Sequence, residues 1–136
     1  MEKEIIIDGE NAILGRLASY TSKELLKGKE IIIINADKVI ITGRKEEIVE
    51  KYLKLMKKGG SSLKGPRIIR SSERILKRVI RGMLPHKKGR GSDALKRVRC
   101  YNDIPEEYKE KKKIKSGKVK TTRFITLKEL AKRLKE

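Results

Sequence analysis

The chain is poor in the residue types that support redox, metal and stacking chemistry. Its 136 residues include one cysteine, one histidine, one phenylalanine, four tyrosines and no tryptophan. A disulfide within the chain is impossible, which is typical of proteins from a reducing compartment. A structural zinc site needs about four Cys or His ligands, so the composition excludes that kind of site as well.

Long apolar runs are also missing. No segment approaches the roughly 18 apolar residues of a membrane span. The opening residues Met1–Glu4 are mostly charged, whereas a secretory signal has an apolar stretch. We therefore expect a cytoplasmic protein with no membrane partner. The length predicts a single domain over residues 1–136.

Acidic residues are few beside basic ones: 18 Asp and Glu stand against 37 Lys and Arg, for a net charge of +19. Residues 1–63 carry 12 bases and 10 acids, residues 64–99 carry 13 and 2, and residues 100–136 carry 12 and 6. Charge of one sign concentrated in one segment marks a contact surface for a polyanion. We predict a scaffold over 1–63, a basic RNA-binding segment over 64–99, and a lysine-rich extension with a C-terminal helix over 100–136.

Strands and helices alternate in the first part of the chain. Runs of β-branched residues predict strands at Glu4–Gly9, Glu30–Asn35 and Val39–Thr42, with a fourth expected near Arg97–Tyr101. Apolar residues at helical spacing predict helices from Leu14 to a stop at Gly28 and over Lys45–Lys58. This alternation indicates a small α/β domain with a mixed, mostly parallel sheet of about four strands. The turn before Val39 is too short for a parallel crossover, so the sheet is mixed unless residues 30–42 form one bent strand.

Weaker signals mark the rest of the chain. Ser71 and Ser72 can cap a helix over Glu73–Leu84, which Pro85 ends. The stretch His86–Gly91 has two glycines and no apolar residue, so we expect it to stay out of the core, with Ser92 capping a short helix through Val98. Residues 103–117 form a lysine-rich extension without periodicity. Thr126 and Glu129 have the spacing of a capping box that opens the last helix.

Catalytic motifs are not found in the sequence. It contains neither the GxxxxGK[ST] phosphate loop nor the GxGxxG dinucleotide fingerprint. His86 lies among cations without a nearby carboxylate, Cys100 is expected to be a small buried residue, and Asp8 has no partner acid or base. We predict that the protein is not an enzyme and takes no cofactor or small-molecule substrate. An RNA-processing enzyme with a minimal site and a free translational regulator remain as alternatives.

The helix predicted at Glu73–Leu84 has two unlike faces. Its basic residues recur at i, i+3, i+4 and i+7 and so share one face: Arg74, Lys77, Arg78 and Arg81. Its apolar residues share the opposite face: Ile75, Leu76, Val79, Ile80 and Met83. The only acid is Glu73, whereas a merely solvated face normally mixes signs. We therefore predict that the apolar face docks on the sheet and that the basic face contacts phosphates.

RNA is a better partner for this surface than DNA. The few aromatics form no stacking cluster for single strands, and no helix-turn-helix or zinc finger is apparent for reading a major groove. Recognition of phosphates and shape remains, which suits folded, double-helical RNA. Arg67 and Arg70 upstream and Arg90 between two glycines extend the same basic patch.

Two motifs resemble those of a known family. Asp8-Gly9 followed by Leu14–Ser19 (LGRLAS), and Arg81–Lys87 (RGMLPHK), are similar to the motifs of the universal family of large ribosomal subunit protein thirteen. Asn102–Pro105 and Tyr108 resemble its archaeal and eukaryotic branch, and the short chain favours the archaeal type. The similarity covers about residues 4–108; residues 109–120 depart from any pattern of the family.

The resemblance implies a three-layer α/β/α fold and a structural role in the large ribosomal subunit. It implies binding to large-subunit rRNA, support of subunit assembly and contact with neighbouring ribosomal proteins, with no obligate homo-oligomer expected. The matching basic residues Arg16, Arg74, Arg81, His86 and Lys87 become candidate rRNA contacts. The complete predicted site comprises Arg16, Lys64, Arg67, Arg70, Arg74, Lys77, Arg78, Arg81, His86, Lys87, Lys88, Arg90 and Arg97.

Overall fold

A computed structural model describes residues 4–56, 71–85, 87–111, 113–115 and 123–135. In chain order the strands and helices are β1 (Glu4–Asp8), α1 (Leu14–Leu26), β2 (Glu30–Ile34), β3 (Ile40–Thr42), α2 (Lys45–Met56), α3 (Ser72–Gly82), α4 (Gly89–Lys96), β4 (Val98–Cys100), β5 (Ile114–Lys115), β6 (Phe124–Thr126) and α5 (Leu127–Lys135). Single 3₁₀ turns lie at Ala36–Lys38 and Glu106–Tyr108.

Within the described ranges, the main sheet has four strands in the order β4-β2-β1-β5, and every neighbouring pair is parallel. β1 and β2 pair in register from Glu4 with Glu30 to Asp8 with Ile34, joined through α1 as a βαβ unit. The predicted α/β class with a mostly parallel sheet is confirmed, and so is a strand near residues 97–101.

Both faces of the sheet are covered, which explains the unbroken isoleucine runs in β1 and β2. Ile7, Ile31 and Ile33 are fully buried in a core that they share with the helices. On the other face, Ile6, Ile32 and Ile34 pack with the segment Tyr101–Tyr108. That layer is an irregular segment with one 3₁₀ turn, where the α/β/α arrangement implied by the resemblance would have an α-helix. Lys111 extends it by lying 5.4 Å from the Tyr108 ring centroid and 3.8 Å from Glu4 Oε1.

The helices form one layer with α1 near its middle. α1 packs against both α3 and α4, and α5 packs against both α3 and α2. A side-chain bond fastens this layer to the sheet: Arg97 Nη2, just before β4, donates to the Leu25 carbonyl in the last turn of α1 at 2.6 Å. The three helices that bear the predicted basic contacts are therefore joined through α1.

One expectation about the strands was wrong. β3 is not part of the main sheet, because Asn35 adopts a left-handed conformation (φ 55°) and the following 3₁₀ turn redirects the chain. β3 pairs antiparallel with β6, Ile41 opposite Ile125, so neither the mixed sheet nor the single bent strand applies. Within the lysine-rich extension over 103–117, the two residues of β5 add a strand that the sequence did not predict, paired with β1 at Ile7 and Asp8.

The helix boundaries differ from expectation at the caps. α4 begins at Gly89 and so places Ser92 inside the helix rather than at its cap. Gly91 is buried, so the expectation that this stretch stays out of the core is wrong at Gly91. Ser71 is the N-cap of α3 but its hydroxyl has no hydrogen-bond partner, and α3 ends at Gly82 rather than at Leu84. The capping box is half formed: Thr126 Oγ1 accepts from the Glu129 N–H at 3.2 Å, while the Glu129 carboxylate pairs with Lys45 and Arg133.

Gly9 packs tightly where the chain leaves β1. A Cβ at this position would lie 2.8 Å from Val39 Cγ2 and 3.0 Å from the Ile34 carbonyl oxygen. We expect Gly9→Ala to lower the free energy of unfolding by about 1–3 kcal/mol, since the backbone atoms around it cannot retreat. Gly15→Ala is the matched control, because its Cβ would meet nothing within 4 Å. In a helix it should be neutral or stabilise by up to about 1 kcal/mol. Urea unfolding of both variants checks this; equal midpoints would contradict the packing at Gly9.

Candidate nucleic-acid interface

α3 has the two faces that its sequence predicts. Ile75, Leu76 and Ile80 are fully buried against the other helices and the sheet, Val79 is half-buried, and Met83 just beyond the helix is 45% exposed. On the other side Arg74, Lys77 and Arg81 are exposed. Arg74 and Lys77 form no ion pair with any residue that the structure describes. The helix therefore presents a basic stripe at the surface.

Arg78 is less exposed to solvent than its basic neighbours on α3. It is half-buried and close enough to α2 for its charge to act on Tyr52. Burial raises the pKa of the Tyr52 hydroxyl, and the positive charge of Arg78 partly opposes that shift. Arg78 thus lies at the border between the stripe and the α2 contact.

The start of α4 adds a second group of cations. Lys87, Lys88 and Arg90 are all exposed, and Lys88 is the N-cap residue without a side-chain cap. The first turn of α4 contains no acid, so its free N–H groups and the helix dipole add to the positive potential of these side chains. The predicted residues Lys87, Lys88 and Arg90 therefore lie together at one helix end.

α1 contributes a basic surface of which only Arg16 is predicted from the sequence. Arg16, Lys23 and Lys27 are exposed, whereas the only acid of the helix, Glu24, is buried. Glu24 accepts from Lys29 Nζ at 2.7 Å and from Lys27 Nζ at 3.3 Å, and the bond from Lys29 is the main cause of its lowered pKa. The spacing of residues 16, 23 and 27 is the signal that could have found this surface.

α2 differs from these three helices in its charge pattern. Its exposed residues include both signs, and Lys54 pairs with Glu50 at 3.3 Å while Lys45 pairs with Glu129 of α5 at 3.2 Å. We use the name basic helix surface for the exposed bases in α1, α3 and α4 and at the residues directly next to these helices. These are Arg16, Lys23, Lys27, Arg74, Lys77, Arg81, Lys87, Lys88, Arg90 and Lys96.

The remaining predicted contacts divide into two groups. Arg97 is partly buried, and its guanidinium is engaged by the Leu25 carbonyl, so the structure gives it a role inside the fold. An RNA contact by Arg97 stays a prediction. Lys64, Arg67, Arg70 and His86 lie outside the described residues, together with the glycine-rich stretch 59–66.

Asp8 and Cys100, which were considered for catalysis, are held within the fold by hydrogen bonds or by burial. Asp8 is buried, and its Oδ1 accepts from Asn35 Nδ2 at 2.9 Å and from the Glu10 N–H at 3.0 Å. Burial raises the pKa of the Cys100 thiol to about 12, with Lys77 lowering it and Glu73 raising it to a smaller degree. A thiol with that pKa is protonated near neutral pH and is a poor nucleophile.

The described residues contain neither a candidate membrane span nor a candidate metal site. None of the helices in the described ranges is long and apolar enough to cross a bilayer. Within those same ranges, no three His, Cys, Asp or Glu side chains are grouped so that they could hold a metal ion.

The fold and this surface define a class of protein: small, strongly basic α/β domains suited to lie against a polyanion. Comparison with known proteins narrows the class. The family model "Ribosomal protein L13" matches residues 2–107, so the chain belongs to the ribosomal protein L13 family. The resemblance found in the sequence is thus confirmed, and the chain is a structural constituent of the large subunit of the cytoplasmic ribosome.

Curated archaeal relatives match along almost the whole chain. The large ribosomal subunit protein uL13 of Picrophilus torridus is 48% identical over 135 residues, which cover 97% of each chain. The protein of the same name from Methanocaldococcus jannaschii is 46% identical over 132 residues, covering 95% of this chain and 96% of the relative. That of Archaeoglobus fulgidus is 42% identical over 135 residues, covering 95% and 86%. The predicted archaeal type is confirmed.

Proposed function

We propose that the chain binds large-subunit rRNA through phosphate and shape contacts made by the basic helix surface, and thereby supports subunit assembly. The observation that carries the proposal is the sign of the exposed charge. α1, α3 and α4 expose ten bases in and beside them, against the single exposed acid Asp93. α2 of the same domain exposes acids and bases together.

Solubility alone does not account for this separation. Like charges on adjacent helices repel one another and weaken the fold unless a polyanion neutralises them. Mixed charge of the α2 kind would keep the protein soluble without that cost. A phosphate ribbon running across α1, α3 and α4 would release counterions and remove the repulsion together.

Double-helical RNA fits the surface better than a single strand. Recognition of A-form RNA relies on phosphates, 2′-hydroxyls and shape, which require cations and hydrogen-bond donors rather than an aromatic platform. Among the described residues, Tyr101 and Tyr108 pack together on the far face of the sheet, at 6.1 Å between ring centroids. These two rings are therefore not available for stacking on bases.

We propose neighbouring large-subunit proteins as the other partners, and no catalytic role. The carboxylate of Asp8 and the thiol of Cys100 are held in the fold by the bonds and burial described above. The relatives are named for their subunit and not for a reaction.

Sedimentation of a cell lysate tests the proposal. In a sucrose gradient at low Mg²⁺, the chain should travel with the large subunit and not with the small subunit or the free pool. A wash of the purified large subunits in about 1 M salt should release more of the chain than a wash in about 0.1 M salt, because phosphate contacts weaken steeply with salt. Recovery only in the soluble fractions would overturn the proposal and favour the free regulator. RNA cleavage by the purified chain would favour the processing enzyme.

A further inference from the structure

The solvent side of α1 carries a feature that phosphate binding does not use. Of the described residues, the large apolar or aromatic side chains that are exposed are Tyr20 at 41%, Met83 at 45% and Ile114 at 42%. Tyr20 is the only aromatic ring among them. An exposed ring in the middle of a helix leaves apolar area in water, which a partner could cover.

Tyr20 lies among the cations of α1. At about 100° per residue, Arg16, Tyr20, Lys23 and Lys27 fall within a sector of about 60° on the helix surface. All four are exposed. These four residues form a ridge along α1 that is about 16 Å long at about 1.5 Å per residue. Along the helix axis, Tyr20 lies about 6 Å from Arg16 and about 4.5 Å from Lys23. The ring therefore has bases on both sides along the helix and no exposed acid between them.

We infer that Tyr20 stacks on an unpaired nucleotide of the RNA whose phosphates are held by Arg16, Lys23 and Lys27. This inference rests on the proposed function and specifies the RNA element at α1. Stacking needs an open base face, and a base inside a duplex has none, so the element is a bulged or looped-out nucleotide beside a helical phosphate ribbon. The flanking cations hold the backbone at the distance from which such a base reaches the ring.

The chemistry favours RNA over a protein partner for this ridge. A protein partner would need acidic residues matching three cations around one ring. RNA supplies phosphates and a π-face in each nucleotide, so one type of ligand satisfies every side chain of the ridge. The few tyrosines exclude a multi-base platform, but one ring suffices for one base.

The experiment uses the full chain and in vitro transcribed large-subunit rRNA of the source organism, with affinity measured by filter binding across a salt series. Tyr20→Ala should weaken binding roughly 5- to 100-fold, the effect of losing one stacked base. Tyr20→Phe should stay within about twofold of wild type, since it keeps the ring. Both variants leave the slope of log K against log salt unchanged, because stacking releases no counterions. Lys23→Gln, by contrast, should reduce that slope by about one unit.

Stability does not confuse this test. Tyr20 is 41% exposed, and the higher helix propensity of alanine offsets part of the packing lost with the ring, so Tyr20→Ala should remain folded under the binding conditions, which urea unfolding checks. Ser19→Ala, on the neighbouring exposed position, is the control for a local change in α1. Chemical probing of the rRNA should show a base that wild type and Tyr20→Phe protect and Tyr20→Ala leaves reactive.

The outcomes separate the two proposals. If wild type fails to bind the rRNA, the proposed function fails and this inference fails with it. If wild type binds with a steep salt slope and Tyr20→Ala matches it, the proposed function stands and stacking is overturned, leaving the ring for a protein neighbour. If Tyr20→Phe loses as much affinity as Tyr20→Ala, the hydroxyl acts rather than the ring face, and stacking is overturned as well.

Discussion

Replacing Arg74, Lys77 and Arg90 by glutamine should weaken binding to large-subunit rRNA roughly 10²- to 10³-fold at about 0.1 M salt. The wild-type chain should show a slope of log K against log salt of about −5 to −9, as expected if about 6–10 phosphates are neutralised. Each lost phosphate contact removes about 0.9 from that slope. The triple variant should therefore have a slope smaller by nearly three units, measured by filter binding between about 50 and 300 mM salt.

The matched control removes the same charge from another helix. Lys45, Lys51 and Lys54 of α2 are exposed, and replacing them by glutamine changes the net charge equally. Lys45 and Lys54 lose surface ion pairs that are worth little. The α2 variant should keep most of the affinity and the slope. If both triple variants lose the same affinity, binding depends on net charge, and the basic helix surface is not the interface.

The parts of the fold that the sequence predicts well are those with a strong local pattern. The isoleucine runs of β1 and β2 indicate buried strands. α1 ends where the sequence predicts, because Gly28 just beyond the helix adopts the positive φ of +95° that a glycine accepts without strain. α3 combines a regular apolar face with a regular basic one, so its periodicity defines both its burial and its surface.

The parts that were missed depend on contacts that are distant in sequence. β3 pairs with β6, so Ile40 lies opposite Thr126, and no local pattern in either segment indicates the other. β5 is two residues long and exists through its pairing with Ile7 and Asp8. α4 has glycines at two of its first three positions, which local propensity places outside a helix, and yet Gly91 lies buried within it.

The same reasoning explains which site residues were found. The bases of α3 were predicted because its sequence contains almost no acid. The ridge of α1 was missed because Glu24 offsets a lysine in any count of charges along the sequence, whereas in the fold its carboxylate is buried and engaged by Lys27 and Lys29. Arg97 is the opposite case, a base that was predicted at the surface because of its charge. Its hydrogen bond to the Leu25 carbonyl depends on the tertiary fold and has no signal in the sequence.

The apolar face of α3 makes the second large prediction. Leu76 is fully buried among the helices and the sheet. Leu76→Ala should lower the free energy of unfolding by about 2–5 kcal/mol, because it removes apolar contacts and leaves a cavity that the neighbouring elements close only in part. Urea unfolding followed by circular dichroism measures the change. Met83→Ala is the control, since Met83 lies about two turns further along at the end of α3, is 45% exposed, and should change stability by about 0.5 kcal/mol or less.

The roles of the two faces of α3 can then be distinguished by measuring the free energy of unfolding and the salt slope of rRNA binding on the same variants. Leu76→Ala should bind rRNA with the wild-type salt slope at a temperature where it is still folded, because it removes no cation from the surface. The glutamine variant of Arg74, Lys77 and Arg90 should be as stable as wild type or slightly more so, because it relieves repulsion among exposed charges. If the charge variant unfolds while Leu76→Ala remains as stable as wild type, then α3 has its basic face toward the core. In that case the surface proposed for RNA lies elsewhere on the domain.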